Sequence, residues 1–158
     1  MIRKKELLLI SCLRNDGRMS LTAASRHTNI PVSTIFEKLK KYHNGIIHRP
    51  TVLLNFEALG FSTRANICIR TKKEHRNLLE KLLKKDFRVN TMFKVADTWD
   101  YMFEGIFKDM QELQEFLEFI EEKCPIEKQV HFILNDIKKE TFLSDPDFYF
   151  KKPEQPQP

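Results

Sequence analysis

The segment VSTIFEKLKKY, residues 32–42, mixes hydroxyl, carboxylate and ammonium groups with apolar side chains. Ile35, Leu39 and Tyr42 recur at intervals of four and three, so a helix would bury them as one stripe. Val32, Ser33, Thr34, Phe36, Glu37, Lys38, Lys40 and Lys41 are then left outside it. Ser and Thr can donate to or accept from several base edges, and Lys38 can donate to guanine O6 or N7. An exposed Phe36 can contact a thymine methyl, although it equally suits a core position against the segment that follows. Lys40 and Lys41, with Arg18, Arg26, His48 and Arg49, are better suited to phosphates, which hold register without reading sequence. Each of these cations alone could be a solvated surface charge; what singles them out is their concentration in one stretch.

That concentration is visible in the charge balance. The chain has 158 residues and a net charge of +5. Residues 1–60 carry ten Lys and Arg against four Asp and Glu, and the remainder carries 17 against 18. A cationic module beside a neutral one points to a polyanion partner for the first part only. Hydrophobic content of 41% with 31% charge is the profile of a folded, soluble protein. No run approaches the roughly 20 apolar residues of a membrane span, and the start, MIRKKELLLISC, meets charge at Arg14 before a signal core develops. The expected location is therefore the cytoplasm. Cys12, Cys68 and Cys124 are far apart and form no CxxC or Cys/His cluster, so they read as buried thiols, not as a metal site or disulfide framework.

The elements that must position the polar segment follow from periodicity. Lys4 to Arg14 reads as a first helix ending at the turn Asn15-Asp16-Gly17. Ser20 offers an N-cap for a short second helix through His27, and Asn29 suits a left-handed residue in the tight turn before Val32. Ile46 to Arg49 and Thr51 to Asn55, broken by Pro50, have the character of a short ribbon, which gives a winged helix-turn-helix order. A second block starts near Phe61. Arg64 to Arg70 alternates as a strand, and Thr71-Lys72-Lys73-Glu74 has a capping-box pattern before a helix striped by Leu78, Leu79, Leu82 and Leu83. Val89–Val95 and Tyr101–Phe107 read as a hairpin. Asp109 and Glu112 open a helix striped by Met110, Leu113, Leu117, Ile120 and Cys124, and Ile126–Leu134 is a last strand. The order β-α-β-β-α-β is that of a ferredoxin-like unit, so the fold class is α+β. Both helices cover one sheet face. The strands carry apolar residues in both phases, as Met102 beside Phe103 and Ile133 beside Phe132 illustrate, so the open face is expected to pack on a second copy. The expected divisions are 1–60, 61–143 and a partly disordered tail over 144–158; Phe142 just before it, and Phe148, Tyr149 and Phe150 within it, suit docking on a partner subunit.

With both halves laid out, the chain resembles the Lrp/AsnC (feast/famine) family of prokaryotic transcription regulators. NDGR at 15–18, PVSTIFEKLKKY at 31–42, GII at 45–47 and EALG at 57–60 match that family's N-terminal pattern in order and spacing, and DTWDY at 97–101 resembles the turn of its effector-binding domain. The resemblance spans residues 3–143. It implies a regulator that reads a palindromic site in double-stranded DNA, a homodimer through the C-terminal sheets, often assembled into octamers, and an effector that is usually an amino acid. For such a ligand the candidate contacts are Asp97, Thr98, Trp99, Asp100 and Tyr101. Trp99 and Tyr101 would supply apolar walls and Asp97 or Asp100 would meet an amine; alternatively the two rings pack the dimer and Asp100 caps a turn. The sequence departs from the family pattern at Pro31, where a capping Ser is usual, at Asn29 and Asp97, where Gly is common, and at Lys38, where Arg is usual.

Two other function classes fit the same architecture. One is a DNA-compacting architectural protein, inseparable by sequence from a gene-specific regulator. The other is an enzyme of the siroheme decarboxylase type, with His43, His48 and His131 as haem-pocket groups; that family's Arg and Gly pattern is not evident in HNGIIHRPTVLLN. No GxSxG elbow, P-loop, dinucleotide glycine pattern or HExxH helix occurs. Glu112, Glu115, Glu118, Glu121 and Glu122 form a solvated helix face. The expectation is a chain with no catalytic residue, resident cofactor, metal or membrane association.

Overall fold

The computed structural model describes residues 3–43 and 45–145. The chain divides into two compact units, Leu54–Asp136 and a second formed by Met1–Leu53 with the segment that begins at Ile137.

In the unit that contains the N-terminal part, three helices follow one another: α1 Lys4–Asn15, α2 Leu21–Thr28 and α3 Val32–Tyr42. Their core is Leu9, Ile10, Ala24, Ile30, Ile35 and Tyr42, with Leu39, Ile47 and Leu143 packed at its edge. Ser20 caps α2 as its composition predicts, its Oγ accepting from the Ala23 N–H at 3.1 Å. Asn29 ends α2 at φ 53°, the left-handed turn expected of it. The ribbon expected over 46–49 and 51–55 does not form: these residues make no strand ladder. Pro50 withholds an N–H in the middle of the run, and Val52, Leu53 and Leu54 find no cover among the described residues, remaining 60, 62 and 49% exposed. The domain is thus a helix-turn-helix followed by an irregular extended segment.

The second unit is a four-stranded antiparallel sheet, β1 Thr63–Thr71, β2 Val89–Lys94, β3 Tyr101–Phe107 and β4 Ile126–Phe132, in the order β2-β3-β1-β4, with helices α4 Arg76–Lys85 and α5 Met110–Lys123. The connection β-α-β-β-α-β and this order are those of the ferredoxin-like fold. Ala65, Ile67 and Ile69 of β1 stand opposite Gly105, Phe103 and Tyr101 of β3 and pack under Leu79, Leu83, Leu113, Phe116, Leu117 and Ile120. The Phe116 ring meets Phe103 edge-on at 6.0 Å and Phe107 at 5.4 Å. Gly105 leaves the space that the Phe107 ring occupies, since a Cβ there would lie 2.5 Å from it.

Three local expectations are corrected by register and contact. Thr71 is not a helix cap; it ends β1, its hydroxyl donating to the Pro125 carbonyl at 2.6 Å, and α4 starts at Arg76 after a single 3-10 turn. Leu78 and Met110 lie outside their helix stripes at 43 and 54% exposure, and Phe116 takes the buried place on α5. The sheet face opposite the helices is more polar than expected. On β1 its residues are Arg64, Asn66, Cys68 and Arg70, and Arg64 bridges Glu104 at 2.7 Å and Asp136 at 2.9 Å. Its apolar members include Phe93, Met102, Ile106 and Cys68, while Phe132 shares the helix side with its cross-strand partner Ala65. Of the tail aromatics, Phe142 is 74% exposed, and Phe148, Tyr149 and Phe150 lie outside the described residues.

Candidate nucleic-acid interface

The turn that presents α3 is built from short-range hydrogen bonds. The Ser25 hydroxyl donates to the Ile30 carbonyl at 2.7 Å, crossing the turn, and the Thr28 hydroxyl donates back to the Ala24 carbonyl at 2.7 Å. Pro31 then fixes an extended residue before the helix and its carbonyl accepts from the Ile35 N–H at 3.0 Å. Ile35 is fully buried and Tyr42 nearly so, which pins the rotation of α3 about its axis. The consequence is a defined outward face.

Val32, Ser33, Thr34, Phe36, Glu37, Lys40 and Lys41 are all exposed on α3. The Ser33 and Thr34 hydroxyls make no hydrogen bond to another described residue, so their donor and acceptor capacity is open. Lys40 places its ammonium 4.5 Å from the centre of the Phe36 ring and 3.8 Å from the Glu37 carboxylate. Phe36 is 48% exposed, so it does not lie in a core against the following segment. Arg18, Arg26, His48 and Arg49 are exposed on the same unit, with the Arg18 N–H closing the first turn onto Asp16 at 2.8 Å.

Lys38 behaves differently. Its ammonium is bound to the Glu6 carboxylate of α1, at the side of a shallow cleft of about 190 Å³ that Arg3, Lys5 and Thr34 also line. The Lys38 contact, with the Arg3 N–H, holds the Glu6 carboxyl below its ordinary range. Sequence reading placed Lys38 among the base readers because it sits just off the apolar stripe. Its partner is 32 residues away, and no local spacing announces it.

A second feature missed by the sequence reading is the segment after Ile137. Arg14 donates to the Glu140 carboxylate at 2.9 Å and to the Phe142 carbonyl at 3.2 Å. Ser11 and Asn15 donate to the Ser144 carbonyl at 2.7 and 2.8 Å. Leu143, in the left-handed region at φ 61°, packs at the edge of the three-helix core. The segment thereby closes the back of α1. Of this segment the sequence marks only Phe142 for docking, and on a partner subunit; Leu143, which packs here instead, carries no such signal.

The loop expected to hold an effector uses its polar groups internally. Asp97 sits at φ 88°, a conformation that favours glycine, and Thr98 beside it is exposed. Trp99 is half-buried. The Asp100 carboxylate accepts from the Thr71 N–H at 2.9 Å and pairs with Arg76 at 2.8 Å. Tyr101 points into the core at 1% exposure, its hydroxyl donating to Glu80 at 3.0 Å. Burial, reinforced by the Glu80 hydrogen bond and charge, pushes its phenol up to about 12. Asp97, Thr98 and Trp99 are thus brought together at the surface, and Asp100 and Tyr101 serve the scaffold. Among the described residues no cluster of three or more His, Cys, Asp or Glu could hold a metal ion, and no helix is long and apolar enough to cross a membrane.

No family model matches the chain. Among curated proteins it is 30% identical over 135 residues to the HTH-type transcriptional regulator FL11 of Pyrococcus abyssi, an alignment covering 84% of this chain and 89% of that one. Among solved structures it superposes on an AsnC family transcriptional regulator from Agrobacterium tumefaciens with a TM-score of 0.78 at 18% identity, over 94% of this chain and 99% of that one. It also superposes on a transcriptional regulator from Neisseria meningitidis solved as a complex with L-Met, with a TM-score of 0.79 at 23% identity, over 88% and 94% of the two chains.

Proposed function

This chain belongs to the Lrp/AsnC family of helix-turn-helix transcription regulators, and from that premise we propose that it reads double-stranded DNA through the outward face of α3. The observation that carries the reading is that face itself. It projects Val32, Ser33, Thr34 and Phe36 from a helix whose rotation is locked by Ile35, with Lys40 and Lys41 at its far end. A helix-turn-helix sets the N-terminal residues of its second helix against base edges in the major groove. Ser33, Thr34 and Glu37 then contact bases, and Lys40, Lys41, Arg18, Arg26, His48 and Arg49 contact phosphates. Lys38, tied to Glu6, contributes charge without base discrimination.

The working assembly in this reading is a homodimer, able to build octamers, whose sheet unit pairs through the face carrying Phe93 and Met102, neither of which a helix covers. Two copies read a palindrome with half-site centres about 10 bp, one helical turn, apart. A small molecule such as an amino acid modulates binding from the surface loop at Asp97, Thr98 and Trp99; the L-Met complex of the Neisseria meningitidis relative supports this choice of ligand class. The protein acts in the cytoplasm and carries out no catalysis, in keeping with the regulators it resembles.

Selection of bound sequences from random duplex DNA by the full chain tests the proposal. Enrichment of a two-fold symmetric motif is expected. Recovery of unenriched sequence, or of a single asymmetric half-site, contradicts it.

A further inference from the structure

Val32 and Phe36 are one helical turn apart on the exposed side of α3, at 40 and 48% exposure, and together form an apolar ridge. Neither belongs to the core of the three-helix unit. Polar or charged groups surround them: Ser33 beside Val32, Glu37 beside Phe36, and the Lys40 ammonium over the Phe36 ring at 4.5 Å. A surface ridge of this kind lacks cover unless its partner offers apolar groups framed by negative charge. The first 60 residues carry ten Lys and Arg against four Asp and Glu, which favours such an anionic partner over another protein surface.

The major groove supplies one such apolar group, the C5-methyl of thymine. With Lys38 withdrawn to Glu6, the first two turns of α3 present no free ammonium for guanine. The commonest means of selecting G·C is absent from this end of the helix. We infer that Val32 and Phe36 are specificity-determining residues that read thymine methyl groups, so that each half-site carries thymines at the two positions they cover. The inference rests on the DNA-binding reading above and adds the base class that it selects. One helical turn separates the two side chains by about 6 Å along the axis. Base pairs stack about 3.4 Å apart, so the two methyls lie at most about two base steps from each other.

Replacing thymine with deoxyuridine in a selected duplex removes the methyl and keeps every hydrogen-bonding group of the base. For the wild-type full chain, each contacted methyl removed is expected to weaken binding roughly fourfold, the equivalent of one buried methylene-sized group. Phe36→Ala and Val32→Ala are surface changes that favour helix. Each is expected to bind the thymine duplex more weakly and to lose discrimination between thymine and deoxyuridine at one position. Their binding to random duplex is expected to fall by a smaller factor than their binding to the thymine duplex, and their affinity for the deoxyuridine duplex by a smaller factor still. Equal affinity of the wild type for both duplexes, with the selected sequence still preferred over a scrambled one, overturns the inference and leaves the DNA-binding reading intact. Retention of full discrimination by both variants also overturns it. Failure of the wild type to bind any duplex at low ionic strength defeats both.

Discussion

The outward face of α3 and the loop from Asp97 to Tyr101 contain similar residue types, hydroxyls and carboxylates beside aromatic rings, yet they differ in what those groups already hold. Ser33 and Thr34 keep their hydrogen-bonding capacity open to solvent. Asp100 is engaged twice, with the Thr71 N–H and with Arg76, and Tyr101 lies in the core against Glu80. The same distinction separates Lys38 from Lys40 and Lys41 within one helix, since only Lys38 is bound to another helix. A polar residue available to a partner is one whose hydrogen bonds the fold does not need, and composition alone cannot report that.

The largest break in this contrast is expected from Asp100→Ala. Removing the carboxylate leaves the Thr71 N–H without its acceptor and Arg76 without its partner, so the sheet unit should lose on the order of 3 kcal/mol in denaturant unfolding. A change within about 0.5 kcal/mol would mean that Asp100 is a surface group after all. Asp97→Gly tests the neighbouring position. It removes the cost of holding a side chain at φ 88° and should stabilise the protein by roughly 1 kcal/mol. Loss of stability would show that the Asp97 side chain supports the loop.

Tyr101 provides a pH test of the scaffold role. Its folded-state value of about 12 lies above the ordinary phenol value. Its stabilisation is therefore fully present below about pH 10 and is lost as pH rises toward 12. Tyr101→Phe should remove that part of the alkaline loss in a pH series of unfolding curves. An unchanged alkaline profile would place the phenol in solvent. The smallest effect is expected at Lys38. Because its ammonium is held by Glu6, Lys38→Ala should weaken binding to specific and random duplex by the same modest factor. Selective loss on the specific site would show that the pair opens when DNA binds.

The parts of this molecule that were legible in sequence are those governed by short-range rules. Ser20 as a cap, Asn29 as a left-handed turn and the boundaries of α3 follow from local chemistry, and so does the Asp109 carboxylate accepting from the Glu112 N–H at 2.9 Å. Strand phase was harder. YMFEGIF at 101–107 is apolar at both parities, and only its register with β1 puts Tyr101, Phe103 and Phe107 beneath the helices. The polar character of the open sheet face escaped for the same reason, since Arg64 owes its place to Glu104 and Asp136, far along the chain. The Glu6–Lys38 pair and the docking of residues 140–144 on α1 are contacts between distant positions with no periodic signal. β-branched and apolar residues suggest a ribbon at 46–55, but strand propensity describes a half-buried surface, and beyond Ile47 the residues Val52, Leu53 and Leu54 find no cover among the described residues.

The contrast between open and engaged groups is tested most directly by the ratio of affinities for a selected duplex and a scrambled duplex of equal length, measured for the wild type and for Ser33→Ala/Thr34→Ala. Both positions are exposed, so the double variant should fold with stability within about 0.5 kcal/mol of the wild type per site. The expected result is a ratio at least tenfold smaller, equivalent to the loss of about 1.4 kcal/mol of discrimination, with affinity for the scrambled duplex unchanged. An unchanged ratio, or an equal loss on both duplexes, would contradict the assignment of this face to base reading.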